Sequence, residues 1–370
     1  MPPILPSSSV NAPRLRVLAD KTPIDGAQSF TVTSGNNHQA DEFKVQFALA
    51  AGGDYSANWW SNQPRVRLTL QAGFADATGA VANWTTLLVG DCDTIDLDMS
   101  TFIVHAAGRN LTALLIDSKV AKTYQNQTAS QIATDLAKAV GLTPNVATTT
   151  TLVGPYYRHD HTMTALSQFS EARTQWDLLV YLAGQEGFNV WVDGTTLNFL
   201  PPPEKPTIVN IPYQQGQIPQ FGGSTLTLHR SMVLAKDVEV QVHSWDSHHK
   251  NGFTVKVRGS IKTNAGAVVK LGPPQTYVFV KPNLTRAQAE NFAQDKLKYI
   301  SRQERGVEIK MPGDLTTNTR DMVYLTGTGT KFDQRYYIDS LIRQISLQSG
   351  FTQTLTLKNN SPHIEVILKR

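Results

Sequence analysis

Apolar and polar residues alternate along most of the first 105 positions of this 370-residue sequence. An alternation of period two buries one face of a β-strand and leaves the other face for solvent or a partner. Turns that carry Gly and Asn separate the runs, so the pattern predicts an antiparallel barrel or sandwich. The clearest runs are Arg14–Leu18, Phe43–Leu49, Arg65–Leu70 and Asp91–Met99.

Helical spacing replaces this alternation in the middle of the sequence. Ile132 and Leu136 lie four residues apart, which is the spacing of one helix face. Thr128 and Gln131 form a capping-box pattern ahead of them, and Gly141 is expected to end the helix in a left-handed conformation.

A second helix is predicted from about Thr174 to Gln185, with Gly187 at its end. Its predicted apolar stripe consists of Trp176, Leu179, Val180 and Ala183. Two alternating runs then flank Asp193-Gly194, a strong hairpin signal because both central positions of a type I′ turn need positive φ. The prolines that follow, at 201–203 and 206, mark a stiff boundary.

Period-two patterns return after Gly223, and one helix is predicted among them, Thr285–Arg302, capped by Thr285 and Gln288. The later strands are predicted at Val307–Met311, Met322–Leu325, Tyr336–Asp339 and Phe351–Lys358. Two strand-rich blocks on either side of a helical insert resemble a loose duplication.

Composition narrows the class of protein. Hydrophobic residues make up 40% of the chain and charged residues 17%, which argues against intrinsic disorder. A net charge of +4 over this length is dilute for an electrostatic nucleic-acid binder. The single Cys92 allows no internal disulfide. Met1–Val10 has no signal-peptide pattern, and no window approaches the ~20 apolar residues of a membrane helix.

Two groups of side chains invite a metal hypothesis, and neither has the spacing of a known site. Four aspartates within residues 91–98 lack the spacing and the closing Glu of an EF-hand, so we interpret them as solvated strand-face acids. The histidine groups lack the His-x-x-x-His spacing and are interpreted as polar loops. The side chains concerned are Asp91, Asp93, Asp96, Asp98, His159, Asp160, His161, His243, Asp246, His248 and His249.

The search for catalytic residues finds no candidate that its pattern singles out. Gly327–Lys331 lacks the spacing of a phosphate loop and leads into a strand, which favours a simple turn. Two aspartates flank Cys92 and disfavour its thiolate. Three acids near the second helix, Glu171, Asp177 and Glu186, fit a solvated face as well as a catalytic pair. Trp59, Trp60 and Trp84 are interpreted as core or loop anchors rather than stacking platforms. No catalytic, metal or cofactor-binding residue is predicted.

A series of structural motifs stands in a definite order along the chain. Trp-Asp-Leu-Leu, Leu-Ala, Gly-Phe and Val-Asp-Gly-x-x-Leu-x-Phe all fall within Gln175–Phe199. Ala107–Leu115 precedes them, and Gly327–Ile338, Gly350–Phe351 and Leu357–Asn359 follow. The motifs and their order resemble the late control protein D family, which comprises baseplate hub proteins of contractile phage tails. The hub portion of type VI secretion spike proteins is a related group.

The resemblance implies a structural protein of the virion tail baseplate, made in the host bacterial cytoplasm, with no enzymatic activity and no cofactor. It implies a homotrimer whose two tube domains per chain form a pseudo-sixfold ring between tail tube and central spike. Other expected partners are a tube-initiator protein, other baseplate proteins, and a tape-measure protein or DNA in the lumen. The dilute charge suits a lumen that does not bind phosphates tightly. Since no spike-like or lysozyme-like motif follows Asn359, the puncturing device is expected on a separate chain.

The predicted fold is therefore α+β, mainly β, with two barrel-like antiparallel tube domains and an inserted helix-plus-hairpin region. The predicted boundaries are a flexible N-terminus at 1–12, tube domains at 13–117 and 223–359, an insert at 118–222 and a tail at 360–370. Two other functions stay open: a tail-associated peptidoglycan hydrolase using Glu171 or Glu186, and a carbohydrate-binding β module using the three tryptophans.

Overall fold

A computed structural model describes the chain as mainly β within the α+β class, which confirms the fold class predicted from the sequence. The described residues are 12–36, 38–49, 54–76, 78–120, 123–154, 156–157, 160–164, 174–213, 225–231, 238–246, 251–260, 275–301, 305–359 and 365–369.

Seven strands and a short helix form the first block, residues 12–110. Its elements are β1 Ala12–Ala19, β2 Thr22–Pro23, β3 Ala27–Gly35, β4 Glu42–Ala48, α1 Ala57–Asn62, β5 Arg67–Ala75, β6 Thr85–Asp98 and β7 Ile103–Asn110. The alternating residues predicted to point inward, such as Phe43, Val45 and Leu68, are buried. They pack with Trp60 and with two residues of the second block, Ile345 and Phe351, into one hydrophobic core.

The insert, residues 113–200, is built from helices and small sheets. Its elements are α2 Ala113–Asp117, β8 Thr123–Gln125, α3 Ala129–Ala139, β9 Thr143–Val146, β10 Tyr156–Tyr157, β11 Asp160–Thr164, α4 Gln175–Glu186, β12 Asn189–Asp193 and β13 Thr196–Leu200. Thr128 and Gln131 form the predicted capping box of α3. Thr174 and Asp177 form a second capping box at α4, which the sequence analysis did not predict.

Two details of the insert differ from the sequence predictions. The hairpin exists, but Asp193 pairs with Thr196, so the turn residues are Gly194 and Thr195 and only Gly194 has positive φ. The buried stripe of α4 is also wider than predicted, because Leu178 and Leu182 are fully buried whereas Val180 is half-buried. Both sides of α4 are covered, since the helix contacts α2 and α3 as well as the neighbouring helix of the second block.

The second block, residues 208–359, contains two sheets and a long helix, and strand β23 adds to one of them. Its elements are β14 Ile208–Pro212, β15 Thr225–Arg230, β16 Val238–Asp246, β17 Asn251–Ser260, β18 Gln275–Val280, α5 Arg286–Ser301, β19 Arg305–Pro312, β20 Met322–Thr326, β21 Arg335–Ser346, β22 Gly350–Asn359 and β23 Glu365–Lys369. The predicted Thr285–Gln288 cap of α5 is present. Helix α5 packs on β16 and β17 of the sheet ordered β18-β16-β17-β23.

One continuous sheet runs through both blocks, in the order β15-β19-β22-β21-β3-β4-β7-β6-β5-β1-β2, with β20 and β14 attached beside β21. Its central pairing, β21 with β3, joins strands that are about 300 residues apart in sequence. Most pairs are antiparallel, as predicted, whereas β14·β20, β9·β13 and β16·β18 are parallel.

The two blocks share a strand order, which gives the loose duplication a structural form. The order β3-β4-β7-β6 in the first block corresponds to β15-β19-β22-β21 in the second, and the corresponding strands follow in the same order along the chain. Strand β6 of the first block and strand β21 of the second are both long, and each contains a bulge, at Cys92/Thr94 in β6 and at Ile338/Ser340 in β21. The first half of β6 pairs with β5, and the first half of β21 pairs with β20.

An ion pair at each bulge strengthens this correspondence. Asp93 in β6 pairs with Arg109 in β7 at 2.7 Å, and Asp339 in β21 pairs with Lys358 in β22 at 2.8 Å. Buried asparagines, Asn110 and Asn359, follow the two basic residues. The topology and these side chains therefore give a residue-by-residue alignment of the two blocks.

Candidate functional site: the junction of the two blocks and the insert

The site with the most elaborate polar contacts lies where β3, β21 and the insert meet. Strands β3 and β21 pair from Ser29 opposite Ser346 to Gly35 opposite Ser340. The loop between β19 and β20, residues 313–321, and the insert hairpin β12–β13 cover one end of this pairing, and together they enclose a pocket of about 90 Å³. We call this region the junction. Its lining includes Ser34, Asp41, Thr112, Trp176, Trp191 and Arg320.

Arg320 connects all three parts of the chain at the junction. Its guanidinium lies over the indole of Trp191 in the insert, 4.5 Å from the ring centroid. Its Nη1 donates a hydrogen bond to Asn36 Oδ1 of the first block, and Asn36 Nδ2 is within 3.3 Å of the carbonyl oxygens of Thr319 and Ile338. Burial lowers the pKa of Arg320 to about 10, against the attraction of Asp41 and Asp193.

Asp41 supplies negative charge on the first-block side. Its carboxylate accepts hydrogen bonds from the Gly35 amide at 3.0 Å and from Asn110 Nδ2 at 3.3 Å. Burial raises the pKa of Asp41 to about 6, although the hydrogen bond from Gly35 and the charge of Arg320 both lower it. Neighbouring His38 has its pKa lowered, first by burial and then by the positive charges of Arg320 and Lys296.

The insert is held to the first block by Trp176, the first-turn residue of α4. Its Nε1 donates to the carbonyl oxygen of His38 at 2.6 Å, and its ring is buried in the core of the insert. The sequence pattern predicts Trp176 on the apolar stripe of its helix, and the structure adds this polar contact to a distant turn.

The loop that carries Arg320 is organised by one carboxylate. Asp314 accepts hydrogen bonds from the Thr316 and Thr317 amides at 2.8 and 2.7 Å, from the Thr317 hydroxyl at 2.7 Å and from Gln353 Nε2 at 2.5 Å. Burial raises its pKa, but these bonds outweigh burial and the pKa of Asp314 is lowered overall. Buried Arg343 donates to the carbonyl oxygens of Asp314 and Thr317, so the loop is fixed on β21.

The clustered aspartates of β6 have arginine and turn partners. Asp91 contacts Arg65 at 2.6 Å and Arg67 at 2.8 Å, and Asp93 contacts Arg109 as described above. Asp98 accepts hydrogen bonds from the Ser100 and Thr101 amides at the β6–β7 turn, and Asp96 is exposed. Within the described residues, no three acidic, histidine or cysteine side chains are grouped as a metal site requires.

Most of the histidine pattern lies beyond what the structure describes. His159, His248 and His249 are outside the described residues, and the side chains of Asp160, His161 and Asp246 are not described. His243 is described, and its Nδ1 lies 2.8 Å from the Thr254 hydroxyl on the adjacent strand.

The glycine-rich stretch Gly327–Lys331 forms a turn between β20 and β21, as predicted. Its amide groups are already occupied, because Thr328 and Gly329 donate to the carboxylate of Asp333 at 2.9 and 3.2 Å. That carboxylate fills the position in which a phosphate loop would hold its anion.

The candidate catalytic groups have structural contacts where they are described. Asp177 caps α4, and Glu171 lies outside the described residues. Burial raises the pKa of Glu186, while a hydrogen bond with Gln288 on α5 lowers it. Burial, followed by the charges of Asp91 and Asp93, raises the pKa of the Cys92 thiol to about 12.

The tryptophans of the first block pack against other side chains. Trp60 is buried and lies 5.0 Å from Phe47 and 4.8 Å from Trp59 between ring centroids. The guanidinium of Arg16 covers Trp84, 4.4 Å from the ring centroid. A flat aromatic platform for a sugar is not formed by these three described residues, so the geometry does not favour the carbohydrate-binding alternative.

Residues 67–346, more than half of the chain, match the family model described as the Alg8 N-terminal domain. The chain belongs to this family. The match to the Alg8 N-terminal domain begins at the first residue of β5 and ends at the last residue of β21, so it includes Trp191, Arg320 and the whole insert. No curated protein matches the chain by sequence.

Solved structures show which fold the chain adopts. A tail protein from Neisseria meningitidis MC58 is 13% identical with a TM-score of 0.65, over 94% of this chain and 97% of that one. The 43 kDa tail protein of prophage MuSo2 from Shewanella oneidensis is 16% identical with a TM-score of 0.62, over 93% and 97%. The E. coli c3393 protein, a type VI secretion component described as similar to T4 bacteriophage tail proteins gp27 and gp5, is 10% identical with a TM-score of 0.51, over 94% and 77%. The chain therefore has a tail-protein fold.

None of the helices in the described ranges is both long and apolar enough to cross a lipid bilayer.

Proposed function

We propose that this chain is a structural baseplate hub of a phage or phage-like contractile tail, as in the late control protein D family. Three copies form a ring that joins the tail tube to the central spike, and the chain works without catalysis or a cofactor. Its partners are two further copies, the tube or tube-initiator protein, the spike protein and other baseplate proteins. Its place is the virion.

One observation carries this proposal: two blocks with the same strand order are joined edge to edge into one sheet. A contact that repeats around an axis closes a ring, and a chain that contains two equivalent units supplies two of the six positions of a pseudo-sixfold ring. The fold shared with tail proteins and with a type VI secretion component supports the same proposal.

The contacts at the junction fix the orientation of one block relative to the other, and a subunit that supplies two positions of a ring requires a fixed orientation. Arg320, Asn36 and Trp191 connect the second block, the first block and the insert, as described above. Charge-assisted hydrogen bonds and a cation–π contact in a partly buried site resist rotation of one block against the other.

The face of the sheet that crosses the junction is polar, and its lysines are balanced by glutamates, which suits the wall of a lumen. Hydroxyl and amide side chains on this face are Ser29, Thr31, Gln46, Gln344, Thr352 and Thr354. Lys44 and Lys310 also lie on it, and each has a glutamate two positions away on its own strand, Glu42 and Glu308. Tape-measure protein or DNA passes such a wall without tight phosphate binding.

The proposal is tested by the mass of the purified chain in solution. Light scattering over a range of concentrations is expected to give a trimer of 40.7 kDa chains, about 120 kDa. The measurement is repeated in the presence of the spike and tube proteins of the same tail. A chain that stays monomeric with both partners at every concentration contradicts the hub function.

The alternative function as a peptidoglycan hydrolase is tested in the same preparation. Clearing of a peptidoglycan gel by the wild-type chain, and its loss in Glu171→Gln or in Glu186→Gln, would favour the hydrolase. We expect no clearing by any of the three proteins.

A further inference from the structure

The continuous sheet has two open strand edges that correspond to the two edges joined at the junction. At one end, β15 pairs with β19, and among the described residues no strand pairs with its other side. The second edge is local: β5 pairs only with the first half of β6, up to Asp91, so the second half, Thr94–Asp98, pairs with β7 and, within the described ranges, with no strand on its outer side. An open strand edge presents unpaired N–H and C=O groups, which favour pairing with another strand.

Because the two blocks share a strand order, each open edge in one block has a corresponding strand in the other block. Strand β15 occupies in the second block the position that β3 occupies in the first, and the second half of β6 occupies the position of the second half of β21. The β3·β21 pairing is thus already formed once, inside the chain. Its counterpart, β15 with β6, is not formed inside the chain, because six other strands separate β15 from β6 in the sheet.

We propose that β15 of one chain pairs antiparallel with residues 94–98 of β6 in the next chain, and that this contact closes the trimeric ring. This inference rests on the proposed hub function and specifies its subunit interface. The occupant of both edges is a second copy of this chain, because the internal β3·β21 pairing shows that the two kinds of edge are complementary.

The internal pairing also fixes the register. Thr94 in the first block corresponds to Ser340 in the second, because each directly follows the bulge of its strand. Counting across the paired strands of each block from these residues shows that Thr31 corresponds to Thr227. The internal pair Ile342–Thr33 then corresponds to Asp96 opposite His229 of the neighbouring chain. On the polar face this register places a carboxylate against an imidazole, a pair that stabilises a strand contact when the imidazole is protonated.

On the other face the same register brings apolar side chains together. The pair Arg343–Val32 at the junction corresponds to Leu97–Leu228 between chains, and Ile345–Phe30 corresponds to Leu226 beside Met99, the first turn residue after β6. Leu97, Leu226 and Leu228 are half-buried in the single chain, and Met99 is 57% exposed. Pairing of the two edges would remove these apolar surfaces from water, which is the main driving force for association.

The other open edges do not have an internal counterpart. Strand β2 has two residues, and β18 and β23 end the separate sheet that packs on α5. No strand pair within the two blocks corresponds to a contact through β2, β18 or β23. A contact through β18, whose Val280 is 74% exposed, is therefore the competing outcome of the test.

Disulfide formation across the proposed strand pair tests the inference in the intact chain. All variants carry Cys92→Ala, and the test variant adds Asp96→Cys and His229→Cys. The internal pair Ile342→Cys with Thr33→Cys is the matched positive control, because it occupies the equivalent position in the observed β3·β21 ladder. Asp96→Cys with Thr225→Cys, which shifts the register by four residues, is the negative control.

Mild oxidation of the test variant is expected to shift the denatured band from about 41 kDa to a covalent trimer of about 120 kDa. The positive control is expected to stay at the size of one chain and to lose its free thiols. The single-cysteine variants and the shifted pair are expected to give no trimer band. Solution masses are measured on the reduced proteins, so that a folding defect is detected separately.

A reduced variant that is trimeric, with an oxidised internal control but no covalent trimer, overturns the proposed interface and leaves the hub function standing. A separate Val280→Cys variant tests the competing edge at β18, and its cross-linking between chains in place of the β6·β15 pair has the same meaning. Monomeric protein in the presence of spike and tube proteins overturns both the interface and the hub function.

Discussion

The guanidinium of Arg320 lies over the indole ring of Trp191, 4.5 Å from the ring centroid, and joins a loop of the second block to the insert hairpin. The same guanidinium donates to Asn36 in the first block. Three parts of the chain that are remote in sequence therefore meet at one side chain, and this contact makes the rigidity of the junction measurable.

A double-mutant cycle with Arg320→Gln and Trp191→Leu measures the coupling at the junction. We expect a coupling free energy of about 1–2 kcal/mol, because the cation is largely shielded from water. Denaturant unfolding of the four proteins provides the measurement. A parallel cycle on Arg16 and Trp84, a cation–π pair within the first block, is expected to give about 0.5–1 kcal/mol. No coupling between Arg320 and Trp191 would contradict the role of the junction.

Asp41 gives the junction a pH dependence of known sign. The folded-state pKa is about 6 and the ordinary value is 3.8, so the folded chain binds this proton more tightly than the unfolded chain. The contribution to stability is complete below about pH 4 and is lost as the pH rises through 6.

Asp41→Asn removes this dependence. The free energy of unfolding of the wild type minus that of the variant is expected to fall by up to about 3 kcal/mol between pH 4 and pH 7. Unfolding curves recorded across this range provide the test. Gly184→Ala, which changes no titrating group, serves as the control, and its difference from the wild type is expected to stay constant. A constant difference for Asp41→Asn would show that Asp41 titrates normally.

Asp314 organises the loop that carries Arg320, so Asp314→Asn is expected to destabilise the chain by about 2–3 kcal/mol at pH 7. An amide cannot accept from Gln353, Thr316 and Thr317 as the carboxylate does. Since the folded-state pKa of Asp314 is lowered, the advantage of the wild type is expected to shrink as the pH falls below about 4. Thr316→Ala, which removes a hydroxyl bond of 3.1 Å at an exposed position, is the control and should cost less than about 1 kcal/mol.

Gly108 allows the close crossing of β6 and β7 beside the first bulge. A Cβ there would overlap the Asp91 carbonyl oxygen and the Cys92 Cα, both of them backbone atoms that cannot move independently. Gly108→Ala is therefore expected to lower the free energy of unfolding by about 3 kcal/mol or more. Gly184→Ala in α4 has open space around the new methyl group and is expected to stabilise the chain by about 0.5–1 kcal/mol. Equal effects of the two substitutions would contradict this packing.

The local elements of this fold were accessible from the sequence because their signals are local. Alternation identified the strands around Phe43 and Phe351, and the Thr128–Gln131 pattern identified a helix start. The Asp193-Gly194 signal predicts the hairpin at the right place but its turn one residue early, because Asp193 continues the strand pairing with Thr196. A turn signal indicates a region, and the backbone hydrogen bonds then decide the register.

The junction was not accessible from the sequence, because its contacts join residues far apart in the chain. Arg320 and Asn36 are separated by 284 positions, and nothing in the sequence around either residue specifies the other. The correspondence of the two blocks was visible only as a loose duplication, since their shared strand order depends on pairings such as β3·β21. The predicted domain boundaries stay a prediction.

End-on class averages of the purified particles in negative stain test the ring most directly. The proposed hub predicts a ring with a central lumen and threefold symmetry, in which six similar lobes arise from the two blocks of three chains. Averages that show an open filament, a compact particle without a lumen or a twofold dimer, in the presence of the tube and spike proteins, would contradict it.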